Sequence, residues 1–346
     1  AQFSNTIINK TIGMDHPWHY RNKSQLPIGK DRDGKAIIGY YRQRSHDIID
    51  MDSCLIQDDV HQDIMNHVKQ WIIDYDISVY NESTKKGLLR HLVIRTGYYS
   101  DDKMVVFVTN GKNFQQASIL VEKLKETFPN ITSIKQNINK SHSNVIMGEQ
   151  SVTLYGKDKI ADQLSDTTFK ISDQSFYQIN SSQTEKLYQQ AIEYAQLTGE
   201  ETVLDTYCGI GTIGLYMAPV AKHVYGVEVV PSAIKDAQQN ATLNGFENTT
   251  FVCGKAEEVI IKWKQQGIKP DVVMVDPPRK GCDETFLQTL LKLNPKRIVY
   301  ISCNPSTQQR DAQILDSQYE LQEITPVDMF PQTTHVETVA LFERKS

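Results

Sequence analysis

The sequence is poor in cysteine, and none of its cysteines comes as a pair. Cys54, Cys208, Cys253, Cys282 and Cys303 are scattered over 346 residues without a CxxC. That spacing argues against a disulfide framework or a zinc site, and it fits reduced thiols in a cytoplasmic protein. No apolar run approaches the roughly 18 residues that cross a bilayer, so no membrane partner is expected. No basic-then-apolar leader opens the chain, so secretion is not expected either. Internal repeats and low-complexity tracts are absent, which argues against a solenoid. Positive charge is not in excess: 37 Lys and Arg against 42 Asp and Glu give a net charge of -5, unlike a broadly basic nucleic-acid coat.

What is present suits a soluble chain with room for two domains: 39% hydrophobic and 23% charged residues. The charge is uneven. Residues 1–170 hold 22 basic against 20 acidic residues, and the remainder 15 against 22. Solvated surface explains this as well as RNA contact does.

The pattern changes near residue 170. Before it, the spacing predicts an α+β domain with a hairpin from Lys35–Tyr41 and Arg44–Met51 and a helix over Val60–Tyr75. Strands follow at Leu88–Thr96 and Lys103–Thr109, then a helix at Phe114–Thr127 and a strand near Ile131–Asn137. After it, strands and helices alternate: strands at Thr202–Thr206, Val224–Glu228, Thr250–Cys253, Asp271–Val275 and Arg297–Ile301, with a helix after each. This rhythm predicts an α/β, doubly wound, mostly parallel sheet over residues 171–346. Tyr319–Val327 and Glu337–Phe342 lack a helix between them and predict a closing antiparallel pair.

Such sheets bind ligands beyond the carboxyl ends of their strands. The first strand leads into Asp205-Thr206-Tyr207-Cys208-Gly209-Ile210-Gly211, where Gly209 and Gly211 allow a tight turn and close approach. The spacing is neither GxGxxG nor a phosphate loop. The second strand ends on Glu228, about twenty residues beyond that turn, where an acid can accept hydrogen bonds from both ribose hydroxyls of an adenosine-type ligand. The fourth delivers Asp276-Pro277-Pro278-Arg279, a rigid loop that resembles the one methyltransferases set beside the base they modify. Amino-nitrogen methylases usually carry an aromatic residue where Arg279 stands, which counts against that chemistry.

Carbon 5 of uracil is a poor nucleophile. Addition of a thiolate to carbon 6 makes carbon 5 enolate-like, and a base must then remove the carbon-5 proton. The fifth strand ends in Ser302-Cys303-Asn304-Pro305, and a helix N-terminus beside Cys303 is expected to favour its thiolate. Cys208, Cys253 and Cys282 are expected to be structural. Candidate bases follow in Phe330–Glu337, where spacing does not choose between His335 and Glu337.

Together with Ser175–Asn180, these ordered segments resemble the RNA uracil-5-methyltransferases, in particular the bacterial 23S ribosomal RNA enzymes. The resemblance implies a Rossmann-like class I methyltransferase domain that uses S-adenosylmethionine. It implies Cys303 as nucleophile and Glu337 as general base, with Gln178, Tyr207, Gly209, Glu228 and Asp276 around the cofactor. Residues 1–170 would form the RNA-recognition domain, with transfer RNA as the rival substrate. Family members commonly begin with a small RNA-binding barrel and cysteines holding a [4Fe–4S] cluster. Cys54 is similar to the fourth of those ligands, but no other cysteine occurs before Cys208, and one thiolate cannot hold four irons. The cluster is therefore expected only in a longer chain, and this shortened one is expected to bind RNA more weakly. A nucleotide-dependent oxidoreductase and a noncatalytic RNA-binding module are the readings from other classes.

Overall fold

The computed structural model describes residue 3 and residues 5–345. The chain divides into two compact units. One comprises residues 18–163 and 170–174; the other takes in residues up to 17, 164–169 and 175–346. This division departs from a boundary at residue 170. The short strand β1 (Ile7–Ile8) pairs in parallel at the edge of the later sheet, and Asn9 Nδ2 donates to Glu323 and Thr325 there. The early residues complete that edge, which their composition does not announce.

The unit around residues 18–163 is built on a seven-stranded sheet. Its strands are β2 (Lys23–Lys30), β3 (Ala36–Tyr41), β4 (Ile48–Asp50), β5 (Leu89–Thr96), β6 (Lys103–Thr109), β7 (Ile131–Ile138) and β8 (Gln150–Gly156), in the order β4-β3-β2-β5-β6-β7-β8. Helices α1 (Asp59–Asp74) and α2 (Ala117–Thr127) cover one face, burying Leu26, Ile38, Leu92, Ile94, Phe107 and Ile134 against Ile64, Val68 and Leu120. The Asp58 carboxylate caps α1 by accepting from Val60 N at 3.1 Å. The expected helix at Phe114 begins instead at Ala117, because Phe114 turns inward and packs on Phe107 with ring centroids 5.6 Å apart. Strands β2 and β8 escape pattern reading: Pro27 interrupts the first, and the second is polar and largely exposed. A hairpin of β9 (Ile160–Leu164) and β10 (Thr167–Ile171) follows.

The other unit continues with α3 (Ser181–Ala195), β11 (Thr202–Thr206), α4 (Thr212–Met217), β12 (His223–Glu228), α5 (Pro231–Leu243), β13 (Thr249–Cys253), α6 (Ala256–Gln265) and β14 (Val272–Val275). After these come α7 (Glu284–Leu293), β15 (Arg297–Ser302), α8 (Pro305–Leu315), β16 (Tyr319–Val327) and β17 (Glu337–Arg344). The strand order is β1-β16-β17-β15-β14-β11-β12-β13, parallel from β13 to β15, with β17 antiparallel to both β15 and β16. This is the expected doubly wound sheet with its closing antiparallel pair. Central strands buried on both faces read as continuous apolar runs, as Val272–Val275 does. Pro231 and Pro305 open α5 and α8, where a missing N–H costs nothing. Strand order reverses between β11 and β14, so the ligand crevice of such a fold lies beyond their carboxyl ends.

Candidate active site

Register alone lines up the chemistry. Thr206 stands beside Val227 on one side and Val275 on the other. The next residue of each strand therefore forms a row: Glu228, Tyr207 and Asp276. Strand β15 adjoins β14, and Ser302 pairs with Thr338 of β17. One antiparallel step further sets Cys303 opposite Glu337. The same register sets Ile301 beside Asp276, so Cys303 stands two residues further along β15 than the row.

At one end of the row the chain turns sharply. Tyr207, Gly209 and Gly211 all have positive φ, at 61°, 54° and 84°. A Cβ on Gly211 would stand 3.1–3.2 Å from Phe251, Ala237 and Leu215, so both φ and packing require glycine. At Gly209 a Cβ would meet nothing within 4 Å, so the backbone faces open space. Glu228 seats its carboxylate beside that turn: Oε2 accepts from Gly209 N at 3.4 Å and Oε1 from Val230 N at 3.0 Å. The Tyr207 ring packs on Phe286, with ring centroids 5.5 Å apart. Gln178 is buried two residues before Asn180. Asn180 caps α3 by accepting from Gln183 N and donates to Met329 O at 3.0 Å, tying Ser175–Asn180 to the loop before Glu337.

Asp205 was missed as a site residue, although an acid inside an apolar parallel strand is a visible anomaly. It is fully buried, its Oδ2 accepts from Gly214 N at 2.8 Å, and its Oδ1 has no partner. Burial, with the carboxylates of Asp276 and Glu228 nearby, pushes it up to about 8.

At the other end stand Cys303, Glu337, Asp276 and Arg279. Asn304 caps α8 by accepting from Ser306 N and donates Nδ2 to Arg279 O at 3.2 Å, joined there by Thr307 Oγ1 at 3.3 Å. Behind them, Thr338 Oγ1 donates to Gln308 Oε1 at 2.8 Å and Gln308 Nε2 to Tyr300 O at 3.0 Å. Glu337 is 4% exposed, and Cys303 is half-buried. Burial and the Asp276 carboxylate push Glu337 up to about 8, against the pull of Arg279; burial pushes Asp276 up to about 7. Where spacing left two candidate bases, geometry separates them. His335 is exposed, its ring 3.4 Å from the Arg279 guanidinium, while Glu337 is buried and its carboxylate acts on the Cys303 thiol.

The Cys303 thiol is not favoured as thiolate in the way its place before a helix led one to expect. Burial, then the carboxylates of Glu337 and Asp276, raise its pKa, and Arg279 only partly offsets them. Burial first, and then the two acids, keep this thiol protonated although it stands before a helix start. Of the remaining cysteines in this unit, Cys208 and Cys282 are buried and raised by burial, and Cys253 is exposed.

The glycine turn, the seated Glu228 carboxylate and the open space at Gly209 fit an adenosine-bearing ligand. The residues around Cys54 do not fit an iron–sulfur cluster. Gln62 hydrogen-bonds the Cys54 backbone at 3.1 and 3.4 Å, and among the described residues no group of three or more His, Cys, Asp or Glu could hold a metal ion. Among the described residues, too, no helix is long and apolar enough to cross a membrane.

A family profile described as tRNA (Uracil-5-)-methyltransferase matches residues 12–345. An uncharacterized RNA methyltransferase of Staphylococcus epidermidis is 77% identical over 343 residues, covering 99% of this chain and 75% of that protein. One from Staphylococcus aureus is 74% identical over 345 residues, covering 100% and 76%. The crystal structure of Pyrococcus abyssi tRNA (uracil-54, C5)-methyltransferase in complex with S-adenosyl-L-homocysteine superposes with a TM-score of 0.80 at 32% identity, covering 97% of this chain and 78% of that one.

Proposed function

Because this chain belongs to the tRNA (uracil-5-)-methyltransferase family of S-adenosylmethionine-dependent RNA methyltransferases, we propose that it methylates carbon 5 of a uridine in structured RNA through a transient bond from Cys303 to carbon 6. The observation that carries this reading is the register that sets Cys303 opposite the buried Glu337, one strand from Asp276.

S-adenosylmethionine, when bound, supplies an electrophilic methyl group on a sulfonium. Glu228 would accept hydrogen bonds from its ribose hydroxyls, the Gly209 backbone would leave it room, and Gln178, Tyr207 and Asp276 would complete its surroundings. The Cys303 thiolate adds to carbon 6, and the ring's electrons move toward carbon 5 and the 4-oxygen. Carbon 5 would then displace the methyl group from the sulfonium, whose methyl–sulfur bond breaks to leave the neutral thioether, and would carry both methyl and hydrogen. Glu337 removes that proton; the electrons of the carbon–hydrogen bond restore the 5,6 double bond as the carbon–sulfur bond breaks and Cys303 leaves. A base works best with a pKa near the working pH, and Glu337 at about 8 is placed for that. Arg279 steadies the anionic forms of both groups.

We assign RNA recognition to the unit around residues 18–163, with the target uridine turned out of its stack to reach the thiol. Two substrates fit. The motif resemblance favours 23S ribosomal RNA; the likeness to the Pyrococcus abyssi enzyme favours transfer RNA. Mapping of 5-methyluridine in both RNAs, from cells with and without the gene, tests the assignment. Loss of one ribosomal uridine methylation supports the first, loss in transfer RNA the second, and no loss of either contradicts both.

A further inference from the structure

With Glu337 as the base, His335 has no part in the chemistry, although its ring lies against a cation of the site. Arg279 Nη2 is 3.5 Å from His335 Nδ1 and 3.4 Å from Nε2. A point almost equally far from both nitrogens and level with the ring would run into the ring carbons. The guanidinium therefore stacks over the ring face, as a planar cation does on an aromatic surface. Among the described residues, His335 is the side chain that this guanidinium meets within hydrogen-bond distance.

Both partners are anchored. His335 N donates to Thr333 Oγ1 at 3.2 Å, and Thr333 Oγ1 donates to Phe330 O at 2.7 Å, closing the turn that carries the ring. The Phe330 ring braces it edge to face, with centroids 6.2 Å apart at 82°. Asn180 Nδ2 and Gln183 Nε2 hold the start of the same loop through Met329 O and Asp328 O, at 3.0 and 3.1 Å. On the other side, Pro277 and Pro278 stiffen the chain before Arg279, and Asn304 Nδ2 and Thr307 Oγ1 hold its carbonyl. Arg279 is thus tied by its backbone to the residue after Cys303 and by its side chain to the residue two before Glu337. An exposed arginine ordinarily spreads over many rotamers; this one has a surface to lie on. Its charge opposes the burial that raises Cys303 and Glu337, and a charge open to water acts at the thiol only while it is kept near.

Resting on the reading of Cys303 and Glu337 as the reacting pair, we propose that His335 is a positioning residue whose ring holds the Arg279 guanidinium beside that pair. The ring serves as a flat face, not as an acid or base, so another aromatic side chain can replace it and an aliphatic one cannot.

The test needs neither methyl donor nor RNA. The intact chain is alkylated at one pH with iodoacetate and, separately, with iodoacetamide, and the rate at Cys303 is read by peptide mass spectrometry. The two reagents are alike in size and differ in charge. The ratio of their rates therefore cancels thiolate fraction and access, and reports the cation held near the sulfur. H335A and R279A are each expected to lower that ratio about threefold, the scale of an exposed charge pair, while the exposed Cys253 serves as an unchanged reference. H335F should stay close to wild type, and R279A/H335A should fall no further than R279A. A wild-type ratio in H335A overturns the proposal. So does an equal fall in H335F, an equal fall at Cys253, or a second fall of that size when H335A is added to R279A. Failure of uridine methylation in a separate tritium-transfer assay bears on the catalytic reading alone.

Discussion

Asp205, Asp276 and Glu337 are three carboxyl groups held away from water, raised to about 8, about 7 and about 8. A carboxyl raised in the folded chain stabilises it fully below the ordinary value of about 4, and that contribution is lost as pH climbs through the folded value. The melting temperature of the ligand-free protein is therefore expected to fall between about pH 5 and 8. D205N keeps an acceptor for Gly214 N and removes one titrating group, so its melting curve against pH should be flatter; an unchanged slope would contradict the burial argument. Activity runs in the opposite direction. Cys303 must lose its proton and Glu337 must be ionised to act as base, and both groups are raised. The rate of methyl transfer is therefore expected to rise from pH 6 to beyond about 8, and a flat profile over that range, in single-turnover assays, would count against these two groups.

Helix α4 and helix α8 show how backbone elements hold the site. In α4, alanine for glycine would ordinarily help by roughly 0.5–1 kcal/mol. At Gly214, however, a Cβ would stand 2.8 Å from Asp205 Oδ2 and 3.1 Å from Val224. G214A is expected to cost about 1–3 kcal/mol in chemical denaturation, the usual range for overpacking; a gain in stability would show that Asp205 can move. In α8, Asn304 caps the helix and holds the Arg279 carbonyl. N304A should lose about 1 kcal/mol and slow turnover while leaving affinity for S-adenosylmethionine within twofold, as read by calorimetry. Much of this was legible in the chain. The alternation after residue 180, the helix-opening Pro231 and Pro305, and the acid at Glu228 come from local signals that the sheet respects. Pairing between distant strands has no local signal. Ile7–Ile8 joining the far edge and Cys303 standing opposite Glu337 are set by register across more than thirty residues, and Lys23 opposite Arg95 by register across more than seventy. The thiol's raised pKa was hidden for the same reason, since it comes first from burial in the folded sheet and then from acids brought in from elsewhere in the chain.

Over the whole molecule, net charge is -5, so a general positive field does not draw an RNA substrate to it. The proposed methylation requires that one sulfur bonds to the pyrimidine. That is tested most directly by incubating the E337Q variant with S-adenosylmethionine and substrate RNA and resolving the mixture on a denaturing gel. A protein–RNA band that survives denaturation, carries the transferred methyl group and vanishes when C303A is added to E337Q is the expected result. Release of free methylated RNA by the C303A protein at the wild-type rate would contradict the account.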